Sequence, residues 1–227
     1  MGNHIKNDYY DHYSDNDEEN NDNSKCKDCN RKQISIKFKN TSIKLCNECY
    51  LKRKQQMLKF EIKMKGDIKI NKITPLLYLG NNESAKDKKM LKYLEITHIL
   101  VVGFFLHEYY PNSFIYKTIE IEDNESTQII NWFIPAFEFI EQAGKCLVHC
   151  RAGKSRSSSI VIAYLMYVGQ FSYEQARTYV NSKHQDSEPN KGFVKQLQNF
   201  GDILVKCQYN LKLIKNSLNI SEYSIHN

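Results

Sequence analysis

The feature that most restricts the fold of this chain is a cysteine followed six positions later by an arginine, between an apolar strand and an apolar helix. Cys150 follows the short apolar run Cys146–His149, and Arg156 directly precedes the helical pattern of residues 158–168. A loop of this length can direct its backbone N–H groups at a phosphoryl group, and the helix N-terminus behind it adds partial positive charge. The same field favours the thiolate form of a cysteine. The pattern therefore predicts a phosphate-binding loop that contains a nucleophile.

Two other properties of the segment agree with this interpretation. Gly153 leaves room for a tight turn, and the guanidinium of Arg156 offers a planar fork to two phosphate oxygens. The alternative is a buried structural cysteine before an ordinary loop, but it does not explain a glycine, an arginine and a helix start in register with the cysteine. We therefore predict a phosphate-binding loop that consists of Arg151, Ala152, Gly153, Lys154, Ser155 and Arg156.

Around this loop the apolar pattern alternates between strands and helices. The strands are predicted at residues 76–79, 97–102, 114–121 and 146–149, and the main helices at 128–143, 158–168 and 193–204. Strands that alternate with helices indicate an α/β domain with a central, mostly parallel sheet flanked by helices. We place this domain at residues 73–207 and expect a frayed C-terminal tail at 208–227.

The string HCRAGKSRS resembles the HCxxGxxR signature of the protein tyrosine phosphatase superfamily, and AGKSRS is similar to its dual-specificity branch. The resemblance extends over residues 73–206. It implies a phosphocysteine intermediate and a shallow site that accepts phosphoserine, phosphothreonine and phosphotyrosine. It also implies that His149 orients the loop and keeps Cys150 ionised, that Ser157 eases departure of the thiolate, and that Asn190 braces the loop.

The resemblance further implies a general acid in the loop that follows the third strand of the domain. Cleavage of a phosphate ester requires a proton for the leaving oxygen, which a carboxylic acid on a loop can supply. Asp123 occupies the matching position, and Glu122 and Glu125 are local alternatives that the sequence leaves open. The resemblance implies no metal for this chemistry.

A second cysteine pattern lies at residues 25–72. Two CxxC pairs separated by sixteen residues are typical of a tetrahedral zinc site, and the gap allows a β-hairpin from residues 34–38 and 42–45. We predict one structural Zn²⁺ held by Cys26, Cys29, Cys46 and Cys49. A core this small would depend on metal to fold, and four filled positions point to docking rather than catalysis. A basic helix at residues 50–65 would complete the module.

The charge of the chain is uneven, which suggests separate segments. Residues 1–24 carry seven acids against one lysine and almost no aliphatic side chains, which predicts a disordered arm. Residues 25–72 carry fifteen Lys and Arg against four acids, so this module could bind an anionic partner or simply present a solvated basic face. Neither a membrane span nor a secretion signal is evident, which favours a cytoplasmic or nuclear protein. Gly2 permits N-myristoylation, but Lys6 replaces the Ser or Thr of that motif.

Three functions remain open at this point. The first is a dual-specificity phosphatase acting on phosphorylated proteins. The second is a phosphatase for RNA 5′ ends or phosphoinositides, which Lys154 and the basic module would suit. The third is an inactive phosphate-binding adaptor, which the presence of Cys150, Arg156 and Asp123 disfavours. Cys146 is either a core residue or a partner for a protective disulfide with Cys150.

Overall fold

The computed structural model of the protein describes residues 68–219 throughout, and residues 19–20, 35–37, 44–46, 48–49 and 52 before them. Only the backbone is described for the first three of these short stretches. The chain divides into two compact units, Met1–Gly66 and Asp67–Asn227.

The first unit contains a three-stranded antiparallel sheet. Strands β1 (Glu19–Asn20), β2 (Ser35–Lys37) and β3 (Lys44–Cys46) follow one another in the sheet, and Ser35 pairs with Cys46. The pairing of β2 with β3 agrees with the predicted hairpin between the CxxC pairs. The prediction that all of residues 1–24 are disordered is wrong at β1, because its backbone pairs with β2. The rest of the arm and most of the basic helix lie outside the described residues.

The second unit is built on a five-stranded sheet with the order β4-β5-β8-β6-β7. The edge strand is antiparallel to its neighbour, and the other pairs are parallel, as the sequence predicts. The strands are β4 (Ile70–Lys72), β5 (Leu77–Gly80), β6 (His98–Val102), β7 (Ile115–Ile119) and β8 (Cys146–His149). The central position of β8 places its carboxyl end, where Cys150 follows, in the middle of the sheet edge.

The strands β6 and β8 are apolar except for one terminal histidine each, because both faces of the sheet are covered. Leu100 and Val148 belong to the larger core cluster, whereas Ile99, Val101 and Leu147 belong to a second cluster. Side chains alternate between the two faces of a strand, so a continuous apolar run is the expected pattern for a sheet buried on both sides.

Seven α-helices of the described residues accompany this sheet, and the last of them lies near the C-terminus. A 3₁₀ helix, Ile129–Trp132, leads directly into α3, in which Pro135 lies in the first turn, where its missing N–H costs no hydrogen bond. The helices are α1 (Asn82–Ala85), α2 (Lys88–Tyr93), α3 (Phe133–Glu141), α4 (Arg156–Val168), α5 (Tyr173–Lys183), α6 (Lys191–Lys206) and α7 (Leu211–Ser217). None of the helices in the described residues is long and apolar enough to cross a membrane.

Both ends of the second unit differ from the predicted boundaries. At the N-terminal end the unit already includes β4, because β4 pairs with β5. At the C-terminal end the predicted frayed tail is wrong for residues 211–217, which form α7. Asn210 caps this helix through Leu213 N, and Ile214 is fully buried in the core.

Candidate active site

Cys150 lies at the bottom of a loop formed by residues 151–155, between the end of β8 and the start of α4. Its side chain is 1% exposed. The thiol sulfur accepts hydrogen bonds from Gly153 N at 3.2 Å and from Ser157 Oγ at 3.1 Å. Both donors favour a negative sulfur, and so does the N-terminus of the 13-residue helix behind it. The geometry therefore suits a thiolate nucleophile.

The backbone of the loop has its carbonyl groups turned away from the sulfur. Arg151 O accepts a hydrogen bond from Asn82 N at 3.1 Å, and Lys154 O accepts one from Glu188 N at 2.8 Å. In a trans peptide the C=O and the next N–H point in opposite directions. The outward carbonyls therefore turn the following N–H groups toward the interior of the loop, where an anion would lie.

Gly153 is the most tightly surrounded residue of the loop. Its carbonyl accepts hydrogen bonds from Ser158 Oγ and from His184 Nε2, each at 3.0 Å. Its φ of +74° lies in the left-handed region, and a Cβ at this position would approach Gly80 O to 2.9 Å. Only glycine meets both conditions without strain. This agrees with the prediction from the sequence that Gly153 leaves room for a tight turn.

His184 is a site residue that the sequence interpretation missed. It is 2% exposed at the end of α5, and its Nδ1 contacts Asn71 Oδ1 of β4 at 2.7 Å. Burial is the main cause that lowers its pKa below the ordinary value. The ring therefore links the edge strand to the carbonyl of Gly153. The histidine is 31 positions from that glycine, and its surrounding residues give no local signal.

The side chain of Arg156 is largely buried and contacts the acid loop. Its side chain is 12% exposed, with Nε at 3.4 Å from Asp123 Oδ2 and Nη1 at 3.4 Å from Ile121 O. Gly103, which follows β6, lies against the guanidinium, and a Cβ there would overlap Nη1. The position brings the predicted phosphate ligand and the predicted general acid together.

Asp123 is the acid that the structure places at the phosphate-binding loop. Its Oδ1 accepts hydrogen bonds from Ser155 Oγ at 2.6 Å and from Asn190 Nδ2 at 2.9 Å. All three acids are exposed, but the carboxylate of Glu122 accepts a hydrogen bond from Asn124 and not from the phosphate-binding loop. The contacts of the described residues thus favour Asp123 over the two neighbouring acids.

Asn190 connects three parts of the site. Its side-chain oxygen caps α6 by accepting from Phe193 N at 2.9 Å, and its backbone N–H donates to Ser155 Oγ at 3.1 Å. Its amide nitrogen holds Asp123, as described above. The bracing role that the resemblance implies for this residue therefore has a geometric basis, and it includes the acid loop as well as the phosphate-binding loop.

His149 is fully buried directly before the nucleophile. Its Nδ1 lies 3.4 Å from Cys150 O, which can only accept, so Nδ1 carries the hydrogen. No described atom pairs with Nε2. Burial lowers the pKa of His149 to about 4. The ring is therefore neutral near pH 7, and its Nδ1–H is directed at the carbonyl of the predicted nucleophile.

Cys146 is a core residue. It begins β8 with no exposed surface, and burial raises its pKa to about 12. Four residues of extended chain separate it from Cys150, or about 13 Å between Cα atoms, whereas a disulfide requires less than about 7 Å. The hypothesis of a protective disulfide with Cys150 is therefore wrong unless the strand unfolds.

The predicted zinc ligands are mostly beyond the described residues. Cys26, Cys29 and the side chain of Cys46 are not described, whereas Cys46 ends β3 and Cys49 is buried at 8% exposure. Among the side chains that are described, no group of three or more His, Cys, Asp or Glu is arranged to hold a metal. The zinc site therefore stays a prediction.

The remaining loop residues face outward. The side chains of Arg151, Ala152 and Lys154 are exposed at the rim, so the loop would grip a phosphoryl group with backbone N–H groups and Arg156. With a buried sulfur below and a carboxylic acid at the mouth, this arrangement can transfer a phosphoryl group to sulfur and protonate the leaving oxygen.

Comparison with known proteins agrees with this chemistry. Residues 77–203 match the family model described as dual specificity phosphatase, catalytic domain. The chain is 42% identical over 126 residues to dual specificity protein phosphatase 1 of Arabidopsis thaliana, which covers 54% of this chain and 64% of that protein. It is 38% identical over 141 residues to dual specificity protein phosphatase 1B of the same plant, with 60% and 84% covered. The match to the first of these relatives thus spans less than two thirds of its length.

A solved structure supports the fold. The human tyrosine phosphatase-like serine/threonine/tyrosine-interacting protein matches with a TM-score of 0.58 and 35% identity, over 60% of this chain and 97% of that one. The family model covers more than half of the chain, and the residues it spans include the nucleophile, the arginine and the acid. The chain therefore belongs to the dual specificity phosphatase family.

Proposed function

We propose that the protein hydrolyses phosphotyrosine, phosphoserine and phosphothreonine in proteins through a phosphocysteine intermediate. The observation that carries this proposal is the buried Cys150 sulfur, which accepts two hydrogen bonds at the N-terminus of α4. Across the mouth of the same loop, Asp123 is paired with Arg156 and Ser155. Nucleophile, anion ligand and acid are thus within one constellation.

In the first step the Cys150 thiolate attacks phosphorus, and the bond between phosphorus and the leaving oxygen breaks. Asp123, acting as the protonated acid, donates its proton to that oxygen. The inward N–H groups of the loop and the guanidinium of Arg156 stabilise the charge on the three equatorial oxygens. The products are a phosphocysteine and the free alcohol or phenol.

In the second step water attacks phosphorus and the P–S bond breaks. Asp123, now a carboxylate, accepts the proton of the water and is restored as an acid. The hydroxyl of Ser157, 3.1 Å from the sulfur, donates to the departing thiolate and lowers the energy of its charge. His149 takes no part in proton transfer, because its ring is fully buried and its Nδ1–H is directed at a carbonyl.

Protein substrates are favoured over the two alternatives. The matched family model and the two Arabidopsis relatives are described as dual specificity phosphatases. This supports phosphorylated proteins as the substrates over RNA 5′ ends or phosphoinositides. Retention of Cys150, Arg156 and Asp123 in one geometry supports an active enzyme over an inactive adaptor.

The test is a set of rate measurements on phosphopeptides, a phosphoinositide and a 5′-triphosphorylated RNA. We expect turnover of the phosphopeptides, none after Cys150→Ser, and a loss of about 10²–10⁴-fold in kcat after Asp123→Ala with vanadate binding retained. Glu122→Ala, the matched control on the same loop, should stay within about twofold. A wild-type rate in Asp123→Ala would refute the acid assignment, and a preference for the lipid or the RNA would refute the substrate class.

We also propose that Cys26, Cys29, Cys46 and Cys49 bind one structural Zn²⁺, on the strength of the two CxxC pairs and the strand pairing between them. Four thiolates would hold the ion in a closed shell that contributes to folding. Metal analysis of the purified chain should find one zinc per molecule, and less after Cys29→Ser. Zinc-free protein with its first unit intact would contradict the proposal.

A further inference from the structure

The most exposed large apolar side chain among the described residues lies beside the candidate active site. Phe105 is 88% exposed and its neighbour Phe104 is 38% exposed, with their ring centroids 6.1 Å apart. Both follow Gly103, which lies against the guanidinium of Arg156. Consecutive Cα atoms are about 3.8 Å apart, so the Cα atoms of both phenylalanines lie within about 8 Å of the Gly103 Cα. Gly103 in turn contacts Arg156, the residue predicted to bind phosphate.

The short segment that carries these rings is fixed at both ends. Gly103 N donates to Ile119 O at 2.8 Å, and Leu106 packs against the second core cluster. Further along, Tyr109 Oη donates to Asn82 Oδ1 at 3.0 Å. With anchors on both sides, the two phenylalanines have little freedom to fold back into the core.

The same segment is tied to the phosphate-binding loop at two points. Gly103 contacts Arg156 at one end of the loop, and Asn82, which holds Tyr109, donates its backbone N–H to Arg151 O at the other end. The rings therefore belong to the rim of the catalytic loop and not to a remote surface.

The backbone at Phe105 is unfavourable for its residue type. Its φ of +56° lies in the left-handed region, where a bulky side chain is an outlier. A polar residue or glycine would relieve this cost and would also remove an apolar ring from water. Strain and exposure that coincide at one residue beside a catalytic loop indicate a binding contact.

We propose that Phe104 and Phe105 form an apolar rim that binds the side chain next to the phosphorylated residue of a peptide substrate, so that apolar neighbours are preferred. This inference rests on the proposed phosphatase function and narrows its substrate class. A peptide residue next to the phosphorylated one starts about 3.8 Å further along the backbone, outside the loop, and would therefore meet side chains that lie at the rim. Burial of an apolar side chain against these rings removes both from water.

The experiment compares two phosphotyrosyl peptides, which differ by Leu or Ser on either side of the phosphotyrosine, with p-nitrophenyl phosphate, which has no flanking residue. For the wild-type chain we expect kcat/KM to favour the Leu peptide by about tenfold. Phe105→Ala should reduce that preference to about twofold and leave p-nitrophenyl phosphate within twofold of wild type. Phe105→Asn, which tolerates the left-handed backbone, should give the same result without strain.

Val205→Ala is the matched control, since Val205 is 67% exposed on α6 and should leave the preference unchanged. Equal rates for the two peptides with wild-type enzyme would overturn the inference while leaving the phosphatase function intact. The inference would equally be overturned if the Phe105 variants lost activity on all three substrates in parallel, because the residue would then support the loop and not the peptide. Absence of turnover on every substrate with wild-type enzyme would instead refute the proposed function.

Discussion

The buried imidazole of His149 should make the stability of the catalytic unit depend on pH in a defined direction. The perturbation is His149→Asn, whose side-chain amide can still donate toward Cys150 O but has no group that titrates near neutrality. In the unfolded chain the histidine takes up a proton near its ordinary pKa of 6.5, whereas burial lowers the pKa of the folded state to about 4. The unfolded state therefore binds more protons between these two values, and the free energy of unfolding falls as the pH is lowered through this range.

The magnitude follows from the difference between the two states. One pKa unit corresponds to about 1.4 kcal/mol, so the full effect is about 3 kcal/mol. Between pH 7.5 and pH 5 about 2 kcal/mol of it should be lost, since only the interval below 6.5 contributes. This contribution is complete above pH 6.5 and declines no further below about pH 4.

The assay is urea unfolding of both proteins at several pH values between 7.5 and 5, followed by the fluorescence of Trp132, the only tryptophan of the chain. Titrations shared by wild type and variant cancel in the difference between their free energies of unfolding. That difference should shrink by about 2 kcal/mol as the pH falls, whatever the cost of the substitution at pH 7.5. A difference that stays constant would show that the folded protein protonates His149 freely, and the account of a neutral, loop-orienting ring would be wrong.

Substitutions at three further positions test other parts of the site. Gly192→Ala should destabilise the fold by more than about 2 kcal/mol in thermal unfolding, because its Cβ would overlap the backbone of Glu125; unchanged stability would mean that the acid loop can move aside at no cost. Ser157→Ala should slow the second chemical step, so that a rapid burst of product is followed by a slower steady rate in stopped-flow measurements, whereas an equal loss in both phases would contradict its role toward Cys150. His184→Ala should slow alkylation of Cys150 by iodoacetamide. His184→Gln should recover part of the rate, because its amide can still donate to Gly153 O. Equal alkylation rates in the wild type and both variants would exclude a positioning role for His184.

The residues of the site that lie close together in the sequence could be predicted. Cys150, Gly153 and Arg156 lie within seven positions, so their chemistry and spacing were sufficient, and the structure brings all of them together. Asp123 required the resemblance to a family, because a single acid in a polar loop has no distinguishing pattern. Its two rivals were separated only by side-chain contacts, which the sequence does not contain.

The residues that shape the loop from outside could not be predicted. Asn82, His184 and Glu188 come from three different segments and act through a backbone N–H or a buried ring nitrogen. A backbone N–H can donate from almost any residue type, so the sequence does not reveal it. A single buried histidine in a polar stretch cannot be told from an exposed histidine by its neighbours in the sequence. The same limit applies to β4 and α7, which are short and whose existence depends on tertiary pairing and packing.

The outward carbonyls have a consequence for how the proposed activity would be lost. The loop from Cys150 to Arg156 does not hold its shape by itself, because three donors to its carbonyls lie on the first residue of α1, at the end of α5 and in the segment before α6. A lesion at any of these distant attachments should relax the cradle and abolish anion capture while most of the hydrophobic core remains closed. Inactivating variants of this protein should therefore be found well away from the cysteine, among residues that never touch the phosphate.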